Sequence, residues 1–194
     1  MKKLLVLACA TATFSLATGY AMADSIKGRL GVTGKVGFLF PANGDIGFVK
    51  NNTDAGIIGG GGFIFGIDDH FAAEVDITRS EFNSDFGNFG VTNVALGAQY
   101  RFMLDQPRLV PYLGGGLDLL LIDADRGRSV DTTVGVHASA GIDYFLMKQL
   151  ALTTEAKLVV APDTDIKDPA GPSGNGNFDP TSLSATFGVR YFFN

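Results

Sequence analysis

Apolar and polar residues alternate with a period of two through most of the chain, over approximately 28–40, 57–67, 71–81, 91–103, 109–121, 132–146, 150–160 and 182–193. Strict alternation over such lengths predicts β-strands with one apolar and one polar face. In 132–146 the even positions are Val134, Val136, Ala138, Ala140, Ile142 and Tyr144, against Thr133, His137, Ser139 and Asp143. In 182–193 Leu183, Ala185, Phe187, Val189, Tyr191 and Phe193 stand against Ser184, Thr186 and Arg190. Two departures stand out: 113–122, LGGGLDLLLI, is nearly apolar throughout, and Arg79 falls on the apolar parity near a strand end. No 3.6-residue stripe competes, and no linker marks a second domain.

The connections alternate in length. Asp68-Asp69-His70, Leu104-Asp105-Gln106-Pro107 and Met147-Lys148-Gln149 are short, whereas 41–56, 82–90, 122–131 and 161–181 are long. Long connections on one side, short ones on the other and an even strand count predict an all-β, eight-stranded antiparallel up-and-down transmembrane β-barrel. The long connection 161–181, rich in Pro, Gly, Asn and Asp, is expected to be mobile and solvated.

Parity alone does not say which face is outside. A soluble lipocalin-like barrel would turn its apolar face inward. Three features favour the inverse. The aromatics Phe65, Phe71, Tyr100, Phe102, Tyr144, Tyr191 and Phe193 gather near the short turns, where an interfacial girdle belongs. The polar face is rich in glycine and sparing in charge. The strands also reach the ~9–11 residues that a tilted strand needs to cross hydrocarbon.

The first residues change the picture at one end. Lys2 and Lys3, an apolar run from Leu4, and Ala21-Met22-Ala23 predict a secretory signal peptide over 1–23, cut between Ala23 and Asp24. The barrel domain is then 24–194. The single cysteine, Cys9, leaves with the signal, so no disulfide is expected, and the formal charge falls from −5 to −7 with the loss of two lysines. An acidic chain argues against nucleic acid as a partner. The remaining composition (26 Gly, 16 Phe, no Trp, mean hydropathy +0.21) is hydrophobic without a hydrophobic helix.

PYLGGGLD (111–118), GIDYFL (141–146) and the ending FGVRYFFN (187–194) resemble phrases of the eight-stranded OmpA-like and OmpX-like outer-membrane barrels. The resemblance spans 24–194 and implies an integral protein of a Gram-negative cell envelope, porin-like in architecture, with both termini periplasmic. It also implies contact with outer-membrane lipid and lipopolysaccharide, and with the barrel assembly machinery through the C-terminal strand.

The polar face carries Arg29, Lys35, Arg101, Lys157 and Arg190, and Glu74, Asp76, Asp118, Asp143 and Glu155. An eight-stranded barrel has room inside only for its own side chains, so these charges are expected to pair as a lumen salt-bridge network. His137 and Ser139 share that face. With Asp143 or Glu155 they resemble the catalytic set of lipid A deacylase barrels, but the inward parity places them away from lipid, so they are expected to fill the lumen without catalysis. The acidic loop groups Asp123/Asp125 and Asp163/Asp165/Asp168 lack the glycine and distal Glu of a calcium loop. No metal and no cofactor is expected. The expected role is structural or surface-exposed, with long loops available to a binding partner the sequence does not name. The alternatives are a narrow channel or carrier for small solutes or small hydrophobic molecules, as in OmpW-like barrels, and a loop-mediated adhesin; Phe48, Phe82, Phe86 and Phe89 are either contact residues or rest on the membrane interface.

Overall fold

The computed structural model describes residues 25–41, 45–46, 49–50, 55–84, 87–104, 108–124, 129–130, 132–162, 164–167, 176–178 and 180–193. The predicted signal peptide and its Ala23/Asp24 cleavage site lie outside them, as do the side chains of Phe48, Phe82, Phe86 and Phe89 and of both acidic loop groups.

Eight long strands follow one another: β1 Leu30–Pro41, β2 Gly56–Gly66, β3 Phe71–Ser84, β4 Gly87–Arg101, β5 Leu109–Ala124, β6 Thr133–Met147, β7 Leu150–Val160 and β8 Ser182–Phe192. Each pairs antiparallel with the next, and β8 pairs back with β1 from Gly31↔Phe192 to Pro41↔Ser182. The sheet is therefore a closed eight-stranded barrel, and closure removes every edge along its length.

The alternation sorts as the sequence predicts. Val36 and Ile57 on the outer face are 65% and 71% exposed, while Arg101, Asp143 and Arg190 on the inner face are 0%, 0% and 1% exposed. The barrel is thus an inverted globule, with a polar interior and an apolar wall. Phe65, Phe71, Tyr100, Phe102, Tyr144, Tyr191 and Phe193 all point outward at the short-turn end. There Tyr100 meets Phe71 and Phe102 edge-on at 5.2 and 5.0 Å, and Tyr191 meets Phe193 at 5.3 Å.

The long-connection end is more ordered than the sequence predicts. The connection read as 82–90 is a continued hairpin, paired from Glu81↔Gly90 to Ser84↔Gly87. Thr164–Lys167 pairs with Gly176–Phe178 and, through Ile166 and Lys167, with Ser129–Val130, which in turn meets β5 at Asp123. Strands aligned by the barrel go on pairing beyond it, and that extension needs no apolar alternation to mark it.

Close strand approach accounts for particular glycines. A Cβ at Gly37 would lie 2.0 Å from the Ala185 carbonyl oxygen and 2.7 Å from Thr186 Cα, whereas one at Gly34 would meet nothing within 4 Å. Gly37→Ala is expected to lower the unfolding free energy by about 1–3 kcal/mol, with Gly34→Ala unchanged, by urea titration in detergent micelles. In the β2–β3 turn, Asp68 Oδ1 accepts from the amides of His70 and Phe71, each at 2.7 Å. These bonds hold the exposed Asp68 carboxyl below the usual aspartate range. Its contribution to the turn is present above the ordinary aspartate value and disappears as pH falls through the depressed one. NMR titration of the Asp68 carboxyl should show a midpoint below that of free aspartate; an ordinary midpoint would disprove the turn's role.

Candidate functional site: a layered polar lumen

At the short-turn end the lumen has an apolar floor of Ile26, Ile64, Ala72, Val110, Phe145, Ala151 and Phe192, with the Phe145 and Phe192 rings stacked at 5.9 Å. The segment before β1 completes it. Gly28, at φ 70°, lets the chain turn so that Ile26 enters the barrel, and Arg29 N–H donates back to the Ile26 carbonyl.

Above the floor lies the densest charge layer. Asp143 Oδ2 on β6 accepts from Arg101 Nη2 on β4 and Arg190 Nη1 on β8, each at 2.8 Å. Arg190 also donates to Glu74 at 3.1 Å and to the Thr33 hydroxyl at 3.0 Å, and the Gln99 amide donates to Glu74. The Tyr112 ring packs against both guanidinium groups, its centroid 5.9 Å from Arg101 Cζ and 5.6 Å from Arg190 Cζ. Its hydroxyl donates to Glu155 at 3.1 Å. A Cβ at Gly141 would meet Tyr112 Cζ at 2.3 Å, so this glycine makes the space the ring occupies.

The second layer is Lys35, which donates to Asp76 at 2.5 Å and Glu155 at 3.1 Å. The third is built on Asp118. It accepts from Asn93 at 2.7 Å, pairs with Lys157 at 3.1 Å, and bonds His137 Nδ1. From Lys35 and Glu155 of the second layer, past Asn93 and Lys157 of the third, the lumen holds a small cavity of about 40 Å³. Its collar is apolar (Leu39, Ile58, Val91, Leu120, Val159), and below the collar come Thr78, Ser80, Asn93, Ser184 and Thr186.

The structure brings nine of the ten predicted network residues together. Arg29 is the correction. It precedes the first strand, so it lies at the rim, donating to the carbonyls of Lys148, Phe192 and Phe193 at 3.1, 3.4 and 3.3 Å with its guanidinium over the Phe192 ring. The inner balance is then four bases against five acids, with His137 as the further basic group at Asp118. The grouping that resembles a lipid A deacylase set does not assemble. The carboxylate at His137 is Asp118, Asp143 is held by two arginines, Glu155 is held by Lys35 and Tyr112, and among the described residues no hydrogen bond joins His137 to Ser139. Sequence reasoning missed Tyr112, Gln99, Asn93 and Thr33. All four lie on the inward parity of their strands, which was the available signal.

A profile of the Outer membrane protein beta-barrel domain matches residues 6–191. The chain belongs to the outer-membrane β-barrel family. As a member of that family it is an integral outer-membrane protein, and its apolar wall is the surface that faces lipid. Among solved structures, the outer membrane protein OprG from Pseudomonas aeruginosa superposes with a TM-score of 0.69 at 16% identity, covering 87% of this chain and 97% of that one. Neisserial surface protein A gives 0.65 at 18%, covering 84% and 97%. The outer membrane protein AlkL in lipid bilayers gives 0.58 at 15%, covering 93% and 94%. At these identities the likeness is one of fold. Comparison with curated protein sequences returns no match.

Removing one partner of a buried ion pair leaves the others uncompensated. Asp143→Asn is therefore expected to cost about 3–5 kcal/mol, read as a lower urea midpoint for the heat-modifiable folded band on a gel. An unchanged midpoint would show that the two arginines do not depend on Asp143.

Proposed function

We propose that this outer-membrane barrel is sealed along its lumen and serves the envelope through its lipid-facing wall and its long-connection end, without conduction or catalysis. The observation that carries this reading is the Arg101–Asp143–Arg190 junction, closed from three strands and lying on the apolar floor. An ion passing that level would have to separate buried charges that are each other's partners, which is costly. The outward aromatic band fits a periplasmic girdle. It supports an orientation with both chain ends in the periplasm, the stitched connections outside, and β8 available to the assembly machinery. The exterior sheet of 129–130, 164–167 and 176–178 is the surface on which an adhesive partner would act. His137 is hydrogen-bonded to Asp118 and, among the described residues, not to Ser139, which supports a lumen without hydrolytic chemistry.

A second reading, a carrier of small solutes, is favoured by the cavity at the second and third layers. Below its apolar collar it is lined by hydroxyls and by Lys35, Glu155 and Lys157, which suits a small polar solute, and Asn93 Oδ1 is a buried acceptor with no donor there. The two readings differ in planar-bilayer recordings of the refolded barrel. The sealed barrel gives no conductance steps, and opening requires loss of the junction, as in Arg101→Ser with Asp143→Ser. Discrete steps in the wild type, altered by Glu155→Ala, would overturn the seal.

A further inference from the structure

The cavity at the second and third layers is walled by groups with hydrogen bonds to spare. The Lys157 ammonium gives one of its three donors to Asp118 at 3.1 Å, and Lys35 gives two of its three, to Asp76 and Glu155. Asn93 Nδ2 donates to Asp118, and Asn93 Oδ1 is a buried acceptor that receives no donor among the described residues. Thr78 and Thr186, both buried, add hydroxyls that can donate or accept. Thr78 and Asn93 are register partners on β3 and β4, whereas Lys157 and Thr186 belong to β7 and β8, across the closed barrel. An acceptor side therefore stands opposite a donor side.

Size and charge narrow what fits between them. About 40 Å³ holds on the order of three water molecules, or one compact molecule of about four non-hydrogen atoms. A cation there would meet two ammonium groups. An anion would add to an interior in which five buried acids already face four buried lysines and arginines. Either ion would also shed its water at the apolar collar, at a cost no uncharged molecule bears.

We infer that the cavity binds a small uncharged primary amide. Its two N–H groups meet Asn93 Oδ1 and the Thr78 hydroxyl on one side, and its carbonyl oxygen accepts from Lys157 and Thr186 on the other. This ligand class deepens the second reading, on whose cavity it rests, but needs no passage through the barrel. Below the cavity the Arg101–Asp143–Arg190 junction closes the lumen, so the amide enters and leaves at the long-connection end.

Three probes of equal size separate the possibilities: acetamide, acetone, which lacks the N–H donors, and acetate, which carries a charge. Each is titrated into the detergent-refolded barrel, with the Asn93 side-chain amide and the Thr186 methyl followed by NMR. Acetamide is expected to shift both signals to saturation, and acetone and acetate to bind at least about fivefold more weakly, the equivalent of one hydrogen bond. Asn93→Leu should weaken acetamide about fivefold and leave acetone unchanged. Thr186→Val, which keeps the charge layers intact, should also weaken acetamide, read at Asn93. Heat-modifiable gel mobility serves as the folding control for both variants. Shifts that never saturate in the wild type mean water alone occupies the cavity and overturn the amide site. Acetone or acetate binding as tightly as acetamide overturns it too, as does an acetamide affinity that ignores both substitutions. Bilayer recordings judge the seal separately: a conducting barrel that still prefers acetamide overturns the seal alone, and a silent one without that preference overturns the amide site alone.

Discussion

In hydrocarbon, a backbone amide or carbonyl without a partner costs several kcal/mol, and a sheet can avoid this only by closing on itself. Everything else in this protein follows from that closure. The pairing of β8 with β1 satisfies the last row of hydrogen bonds and fixes the strand number. Eight strands then fix an interior too narrow to stay empty and too wide to collapse without large side chains. The parity that turns valine, isoleucine and phenylalanine to the lipid necessarily turns the alternate residues into that interior, so the filling is polar because the wall is apolar.

A polar filling deprived of bulk water must satisfy itself, and it does so in layers. Asp143 joins β4, β6 and β8; Lys35 joins β1, β3 and β7; Asp118 joins β4, β5, β6 and β7. Each of these three groups therefore ties together strands that are not all neighbours in the sheet, and the network braces the barrel across its diameter. Glycine balances the volume. At Gly141 the missing side chain is the space taken by Tyr112, whose ring packs against the two buried arginines. The apolar floor below keeps the lowest charge layer from the short-turn solvent, with Ile26 of the preceding segment as part of its packing.

The two surfaces left over face different media. The wall meets lipid, and Arg79, ion-paired with Glu81, is a departure from its apolar parity. The long-connection end carries strand pairs outside the barrel, linking the connections after β5 and β7 to one another. Stitched connections present a more defined surface than separate loops would, because their ordering entropy is spent on folding and not on binding a partner.

The sequence by itself determined the strand count, the placement of the short turns, the outward aromatics and the inward identity of nine charged residues. Each of these depends on side-chain parity, which is local and has a period of exactly two residues, so it can be read without knowing any neighbour. Only the tertiary structure decided which inward charges meet, because that depends on strand stagger around a closed circle, and parity carries no information about stagger. It set Asp118, not Asp143 or Glu155, beside His137. It placed Arg29 at the rim, since the chain before β1 bends at Gly28 and no longer follows the strand. It also extended the β3–β4 hairpin and paired the loop segments, where backbone hydrogen bonds alone give order and leave no pattern of side chains to announce it.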